Sequence, residues 1–200
     1  MFFIPKVLTS HDYIDIEDRL KVWLSSRVTP RRFRHSLGVL KAVTDLAAFY
    51  GVDPQPLRLA ALVHDCAREL PPERMLLMAR KRELPVRPAD EQSPVLLHGK
   101  LAVEVVEREF GLKDPAMVSA TLYHTAGHPR MSFSDKLFFL ADHIEPGRSH
   151  ARAGALRRLA YRDVNRAMLG AIEASERFLK STGATVDPDT IELKKVLNPV

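Results

Sequence analysis

Six residues of the types that bind metal ions are spaced through the middle of the chain. Four are histidines and two are aspartates: His35, His64, Asp65, His98, His124 and Asp142. Their nitrogen and oxygen atoms suit first-row divalent metals, and six ligands are enough for two ions that keep positions open for water and substrate. A structural zinc site usually needs four ligands, often thiolates, and this chain has one cysteine. The pattern predicts a metal-dependent enzyme and favours a hydrolase.

Helical spacing predicts that all six side chains face the interior. His35, for example, shares a helix face with Val39 and Leu46. One buried histidine can be a hydrogen-bonded core residue, but six ligand-type groups, two of them acids, would be costly to bury without a metal. Asp65 could bridge two ions through its two oxygens. Ions about 3.5–4 Å apart lower the pKa of a shared water and suit phosphoryl chemistry.

Two arginines are candidates for binding substrate phosphates. Arg68 lies one turn after the His64-Asp65 pair, and Arg148 follows a predicted helix end at 145–147. Lys100 follows His98, but a solvated surface charge is the prediction for it. The chain has no glycine-rich phosphate loop of the GxxxxGK type. Metals and cations would therefore have to hold the phosphates.

The other histidines carry weaker signals. His128 lies in the loop after the fourth histidine, where it could contact a substrate phosphate or donate a proton. His143 should point about 100° away from Asp142 on a helix, so a supporting role is not favoured. His11 and His150 fall in boundary segments and are predicted to be exposed.

Capping residues, prolines and glycines divide the chain into predicted helices. These cover about 12–27, 29–51, 53–70, 71–82, 93–111, 114–125, 132–146 and 163–183, with a short one from 187. No stretch shows convincing strand-type alternation. The prediction is an all-α, single-domain helical bundle over residues 1–200, with a metal-binding core at about 29–148 and additional C-terminal helices at about 151–195.

Two polar loops adjoin the ligand-bearing helices. Residues 83–92 lead toward His98, and residues 126–131 follow His124. Loops carried by a rigid scaffold often supply substrate contacts. We therefore expect both segments to border the site.

Composition limits the classes of partner. The chain has 46% hydrophobic residues, a net charge of +5 and only 7% aromatic residues. The charge favours an anionic small molecule, while no basic stripe interleaved with aromatics predicts nucleic-acid binding. The apolar start, MFFIPKVLTS, is too short for a signal peptide or membrane span. The lone Cys66 fits a reducing cytoplasm, and a buried, unreactive thiol is the prediction for it.

The order H…HD…H…H…D resembles the HD-domain superfamily of metal-dependent phosphohydrolases, in the subset with extra histidines for a second metal. Five segments resemble the YqeK family of bacterial HD-domain proteins: RRFRHSLGVL, AALVHDCARELP, LLHGKLAVEVV, YHTAGHPRMS and LADHIEPGR. The resemblance covers residues 15 to 195 approximately, in the family's order and spacing.

The resemblance implies symmetrical hydrolysis of diadenosine tetraphosphate to two ADP. It implies two divalent metal ions, with iron favoured and manganese, nickel, cobalt or zinc also compatible. One ion would be held by His35, His64, Asp65 and Asp142, and the other by Asp65, His98 and His124. A metal-activated hydroxide would attack an inner phosphorus. Together with the cations and the loop histidine described above, Asp65 gives the set of candidate catalytic residues: Asp65, Arg68, His128 and Arg148.

Three positions depart from the family pattern. Arg68 stands where the family usually has lysine, and this change keeps the charge but alters its geometry. His128 stands where arginine is common, and Ala126 replaces a frequent threonine. Arg148 retains the family's EPGR pattern. The departures bear on substrate contacts and leave the metal ligands unaffected.

Three other functions remain compatible with the sequence. One is a phosphohydrolase acting on another nucleotide, such as a mononucleotide or an alarmone. Another is a di-iron oxygenase, because the same ligands serve both chemistries, and a third is a nucleotide-binding regulatory domain without turnover. The sequence also leaves the oligomeric state open, with a homodimer allowed.

Overall fold

The computed structural model describes residues 10–149 and 152–198, with side chains from residue 12 onward. Within these residues all regular structure is helical, which confirms the all-α prediction. The helices are α1 Ser10–Ser25, α2 Pro30–Tyr50, α3 Gln55–Val63, α4 Pro72–Lys81, α5 Pro88–Gln92, α6 His98–Phe110, α7 Pro115–Tyr123, α8 Phe133–Ile144, α9 Ala153–Ala160, α10 Val164–Ser181 and α11 Pro188–Leu197. A 3-10 turn, Pro94–Leu97, leads directly into α6.

The N-terminal segment 1–9, for which the sequence predicts neither signal peptide nor membrane span, lies outside the described residues. So do His150 and the side chain of His11. Among the described helices, none combines the length and apolarity needed to cross a membrane.

Local signals in the sequence begin and end most helices where expected. Thr29 caps α2, because its side chain accepts a hydrogen bond from the backbone N–H of Arg32, and Pro30 occupies the first helical position. Gly51 ends α2 with a φ of 66°, a left-handed conformation that glycine adopts without strain. Asp114 caps α7 in the same manner as Thr29 caps α2.

Three segments differ from the sequence prediction. The helix expected over 53–70 ends at Val63, and tight turns follow it. The loop at 83–92 contains the five-residue helix α5. Helix α9 was not predicted, because Arg152 at its start makes no side-chain cap and no proline marks it. Short helices without caps leave little local signal and depend on packing for their stability.

Helix α3 is the centre of the fold and is buried along nearly its whole length. It packs against α1, α2 and α7, while α8 packs on α2 and α7. The sequence QPLRLAALV explains this position, because a helix that is apolar on every side must be surrounded by others. The residues that follow α3 are consequently delivered to the protein interior.

The one charged residue of α3, Arg58, is paired with a carboxylate of α1. The guanidinium of Arg58 donates two hydrogen bonds to the carboxylate of Glu17 on α1, at 2.7 and 2.6 Å. It also donates to the hydroxyl of Thr44 on α2 at 2.8 Å. Burial alone would raise the pKa of Glu17, but hydrogen bonds and charge attraction from Arg58 and Lys21 outweigh it and lower the pKa. The contact therefore joins the first three helices.

Glu17→Gln should lower the free energy of unfolding at pH 7 by about 1.5–3 kcal/mol, the usual range for a hydrogen bond to a charged group. Because the pKa of Glu17 is lowered by folding, its contribution is present above the unfolded value near 4.3 and is lost as the pH falls through the folded value. Urea unfolding of the unchanged protein and of Glu17→Gln, at several pH values from 7 to 3, measures the difference in their free energies of unfolding.

The matched control is Asp18→Asn, which changes the exposed neighbouring carboxylate. It should alter the unfolding free energy little at any pH. A difference between Glu17→Gln and the unchanged protein that stays constant down to pH 3 would contradict the charged contact.

Candidate metal centre

The His64-Asp65 pair follows the buried helix α3 directly. After Val63 the backbone makes successive tight turns, with N–H to C=O bonds from Cys66 to Val63 and from Arg68 to Asp65, both 3.0 Å. On a regular helix adjacent side chains point about 100° apart. Here the imidazole Nε2 of His64 and the Oδ2 of Asp65 are 3.6 Å apart, so both groups reach the same centre.

The carboxylate of Asp65 lies between two pairs of histidines. Its Oδ1 is 3.3 Å from Nε2 of His98 and 3.8 Å from Nε2 of His124. Its Oδ2 is 3.6 Å from the Nε2 atoms of both His35 and His64. Each oxygen therefore faces its own pair of imidazole nitrogens, the arrangement that a bridging carboxylate requires.

Asp142 of α8 extends the Oδ2 side. Its Oδ1 is 3.0 Å from Nε2 of His35. Ligand atoms of His35, His64 and Asp142 all lie within 4.8 Å of one another, and so do those of His64, Asp65 and His124. The fold thus brings together all six predicted ligand residues. The donor groups in this cluster can hold a divalent metal.

Three of the histidines are fixed by backbone carbonyls. Each contacts, through Nδ1, the carbonyl oxygen of the residue three positions earlier: His64 with Ala61 at 3.0 Å, His98 with Val95, and His124 with Thr121 at 2.7 Å. A carbonyl can only accept, so Nδ1 carries the proton and Nε2 presents its lone pair inward. Ala61 and Thr121 lie in the last turns of α3 and α7, where carbonyls lack intrahelical partners.

The inward lone pairs face one another at short distance. The Nε2 atoms of His98 and His124 are 2.8 Å apart, and those of His35 and His64 are 3.4 Å apart. Two lone pairs at this separation repel each other unless a proton or a metal ion lies near both. The donor chemistry therefore fits a cation on each side of Asp65.

Burial and charge set the protonation of the cluster. Burial lowers the pKa of His64 to about 4, so the imidazole is neutral at pH 7 and free to coordinate. Burial would raise the pKa values of Asp65 and Asp142, but the histidines around them hold both well below the usual range. Both carboxylates are therefore charged, as metal ligands must be.

Two charged residues that the sequence interpretation did not use also contact the ligands. Arg32, one turn before His35 on α2, pairs with Oδ2 of Asp65. Glu145, one turn after Asp142, is buried and lies with Oε1 3.3 Å from Nδ1 of His35. Both are three residues from a predicted ligand, and this spacing could have identified them, because such residues share a helix face.

Helix α9 supports the segment that follows α8. The guanidinium of Arg157 donates to the carbonyls of Ile144 at 2.7 Å, Glu145 at 2.6 Å and Arg148 at 2.8 Å. Arg148 also donates, from Nε to the carbonyl of Asp142 at 3.0 Å, so two arginines cap the end of α8. Arg157 in turn positions Glu145 and Arg148.

The two predicted phosphate-binding arginines differ in their environment. Arg148 donates from Nη2 to Oδ1 of Asp142 at 2.9 Å and is half-exposed. Arg68 is partly buried, and its guanidinium makes no hydrogen bond or ion pair within the described part of the chain. Burial lowers the pKa of Arg68, while Asp65 and Asp142 are close enough to oppose that effect. Arg68 is thus a cation near the centre with its donors free.

The remaining sequence candidates have partners outside the six ligand residues. His128 stacks on Tyr123, with ring centroids 4.7 Å apart, and its Nδ1 accepts from the backbone N–H of Arg130. The prediction of a solvated Lys100 is wrong: its amine bonds to the fully buried Asp90 at 2.6 Å. Cys66 is partly buried, and burial raises the pKa of its thiol to about 12, which agrees with the prediction of an unreactive thiol.

Comparisons with known proteins agree with this geometry. Residues 32–147 match the HD domain family, and this range includes all six predicted ligand residues. A Bacillus subtilis protein named symmetrical bis(5'-nucleosyl)-tetraphosphatase is 32% identical over 167 residues, covering 84% of this chain and 89% of its own length. A protein of the same name from Halalkalibacterium halodurans is 33% identical over 164 residues, covering 82% and 87%.

A solved structure from Clostridium acetobutylicum extends the likeness to three dimensions. It is described as a predicted HD superfamily hydrolase involved in NAD metabolism, and it superposes with a TM-score of 0.85 at 32% identity. The match covers 90% of this chain and 95% of that one. The chain therefore belongs to the HD domain superfamily and, within it, to the YqeK-type family of symmetrical bis(5'-nucleosyl)-tetraphosphatases.

Proposed function

We propose that this protein is a metal-dependent phosphohydrolase that cleaves diadenosine tetraphosphate symmetrically into two ADP. The observation that carries the proposal is the carboxylate of Asp65, which has a pair of histidine nitrogens 3.3–3.8 Å from each of its oxygens. Relatives that cover most of this chain bear the name of that activity. The basic net charge of +5 suits a substrate with four phosphates.

We assign two metal ions to the centre. The residues proposed for the first are His35, His64, Asp65 and Asp142, and those for the second are Asp65, His98 and His124. When bound, such ions lower the pKa of a water and stabilise charge on phosphoryl oxygens. Iron is the metal we favour, and nitrogen-rich donor sets of this type also suit manganese, nickel, cobalt and zinc.

The chain's own residues have separable roles in this scheme. Glu145 and three backbone carbonyls hold the imidazoles in one tautomer, so that every Nε2 points at the centre. Arg68, whose donors are free, binds phosphate oxygens of the substrate. Arg148 orients Asp142 and presents its exposed edge to the same phosphates.

His128 is proposed to donate a hydrogen bond to the phosphate of the leaving ADP. Its Nδ1 accepts a hydrogen bond, so the neutral ring carries its proton on Nε2. Cleavage adds a water oxygen to one inner phosphorus and breaks the bond from that phosphorus to the central bridging oxygen. The second ADP leaves with that oxygen as a phosphate anion, and the protons of the attacking water pass to solvent.

Further assignments rest on the same family membership. We infer one domain over residues 1–200, with the metal-binding core at about 29–148 and a helical segment at about 151–195. The substrate and the reduced cysteine suit the cytoplasm.

Product analysis of the iron-loaded protein with diadenosine tetraphosphate tests the activity. Chromatography should show ADP as the sole nucleotide product, formed at two per substrate consumed, and a chelator should abolish its formation. ATP and AMP in equal amounts would place the attack at an outer phosphorus and contradict symmetrical cleavage. A parallel panel of mononucleotides and alarmones, with oxygen uptake recorded, separates the other phosphohydrolase and oxygenase activities.

Asp65→Asn should lower kcat at least about 100-fold, because even residues that support a metal ligand cost 10–100-fold when changed. The amide keeps the shape of the carboxylate but cannot offer two anionic oxygens. Circular dichroism should remain that of a helical protein. Asp45→Asn, on the exposed face of α2, is the control and should retain full activity. Equal rates for both variants would remove Asp65 from the centre.

Arg68→Gln should raise KM for diadenosine tetraphosphate about tenfold, the loss expected for one charge-assisted hydrogen bond of roughly 1.5 kcal/mol, with metal content unchanged. Arg82→Gln, which alters an exposed ion pair with Glu104, is the matched control. Steady-state kinetics and metal analysis of both proteins give the comparison. A lower metal content in Arg68→Gln would instead assign this arginine to support of the ligands.

A further inference from the structure

The segments that adjoin His98 and His124 are both tied to the C-terminal helix α11. The anchoring residues are Asp187, Asp189, Thr190 and Leu193, which we call the α11 clasp. They lie far in sequence from every predicted ligand, and the proposed mechanism does not use them. Their contacts fall on the two loops, 83–92 and 126–131, that the sequence marks as bordering the site.

The first tie runs through Arg87. Its guanidinium donates to Asp187 at 2.8 Å and to Asp189 at 2.5 Å, and also to Asp90 at 3.1 Å. Asp90 is completely buried and accepts in addition from Lys100 of α6 at 2.6 Å. This network therefore fixes α5 between α11 and the first turn of α6. The 3-10 turn that supplies the carbonyl to His98 follows α5 directly.

The second tie holds the loop after His124. The hydroxyl of Thr190 donates to the carbonyl oxygen of Ala126 at 2.7 Å. The adjacent Gly127 has a φ of 71°, and a Cβ atom there would collide with the side chain of the fully buried Leu193. The loop therefore packs directly against α11 at Ala126 and Gly127, two and three residues after His124.

None of the hydrogen bonds of the α11 clasp reaches the other half of the centre. His35, His64 and Asp142 come from α2, from the end of α3 and from α8, which pack on the main hydrophobic core. Helix α7, which ends just before His124, also contributes to the main core, as does Leu193 of α11. Leu97 and Leu101, on either side of His98, belong instead to a separate small cluster with α4. A small cluster buries little apolar surface and holds its backbone less firmly.

We propose that the α11 clasp is a positioning element for His98 and His124, the two histidines on the Oδ1 side of Asp65. This inference rests on the proposed two-metal function. Loosening the clasp should let the His98 segment and the His124 loop move, so that the ion on the Oδ1 side binds more weakly while the ion on the Oδ2 side is retained.

Two variants release the two ties separately. The double substitution Asp187→Asn with Asp189→Asn removes the charges that hold Arg87, while asparagine at 187 still caps α11. Asp163→Asn makes the same change at the N-cap of α10 and is its control. Thr190→Val removes only the hydroxyl that holds Ala126. Thr182→Val is its control, since Thr182 bonds to carbonyls of its own helix.

Hydrogen–deuterium exchange of the metal-depleted proteins and manganese titration provide the readouts. The double variant at 187 and 189 should raise the amide exchange rate about tenfold in residues 85–98, and Thr190→Val should do the same in residues 124–131. The exchange rate of residues 32–39 should stay unchanged in both variants. Each variant should weaken manganese binding at one of the two sites, the site on the Oδ1 side of Asp65, about tenfold. Loss of a residue that supports a metal ligand usually has an effect of this size. The controls should match the unchanged protein in both measurements.

Unchanged exchange in both loops would overturn the positioning role. Equal weakening of both manganese sites would also overturn it, because α11 would then stabilise the whole fold. A single manganese in the unchanged protein would instead defeat the two-metal assignment, and exchange in the metal-depleted protein would still decide whether the clasp holds the loops.

Discussion

The burial of one carboxylate, that of Asp65, is the constraint on which the site depends. A charged group removed from water is costly unless every lone pair has a partner. Here one oxygen faces His98 and His124, and the other faces His35 and His64. The guanidinium of Arg32 pairs with Oδ2, and a cation between each oxygen and its two imidazole lone pairs would supply the remaining partners. The buried carboxylate is therefore placed as a bridge between two cation positions.

The ends of helices make this arrangement possible. Helices α3 and α7 stop just before a ligand histidine, and the carbonyls left without partners in their last turns accept the Nδ1 protons of His64 and His124. Each imidazole is thereby held in one tautomer with Nε2 directed inward. Each helix end thus gives its unpaired carbonyl a hydrogen-bond donor and orients the ligand histidine through the same contact.

Elements outside the ligand-bearing helices complete the centre. Helix α9 supplies Arg157, which binds three carbonyls at the end of α8 and so places Glu145 beside His35. Helix α11 contacts the loops next to His98 and His124. The C-terminal helices therefore belong physically to the site, although they contribute none of the six predicted ligand residues.

The sequence by itself determined the all-α class, most helix boundaries and the six candidate ligands, because caps, helical periodicity and residue type are local properties. It did not determine that α3 ends at Val63 or that α9 exists. The end of α3 and the start of α9 both lack a strong local signal. Only the tertiary structure decided the partners: Arg32 with Asp65, Glu145 with His35, and Lys100 with the buried Asp90. Such pairings join residues distant in sequence, and their energies depend on burial and distance, which no local pattern encodes.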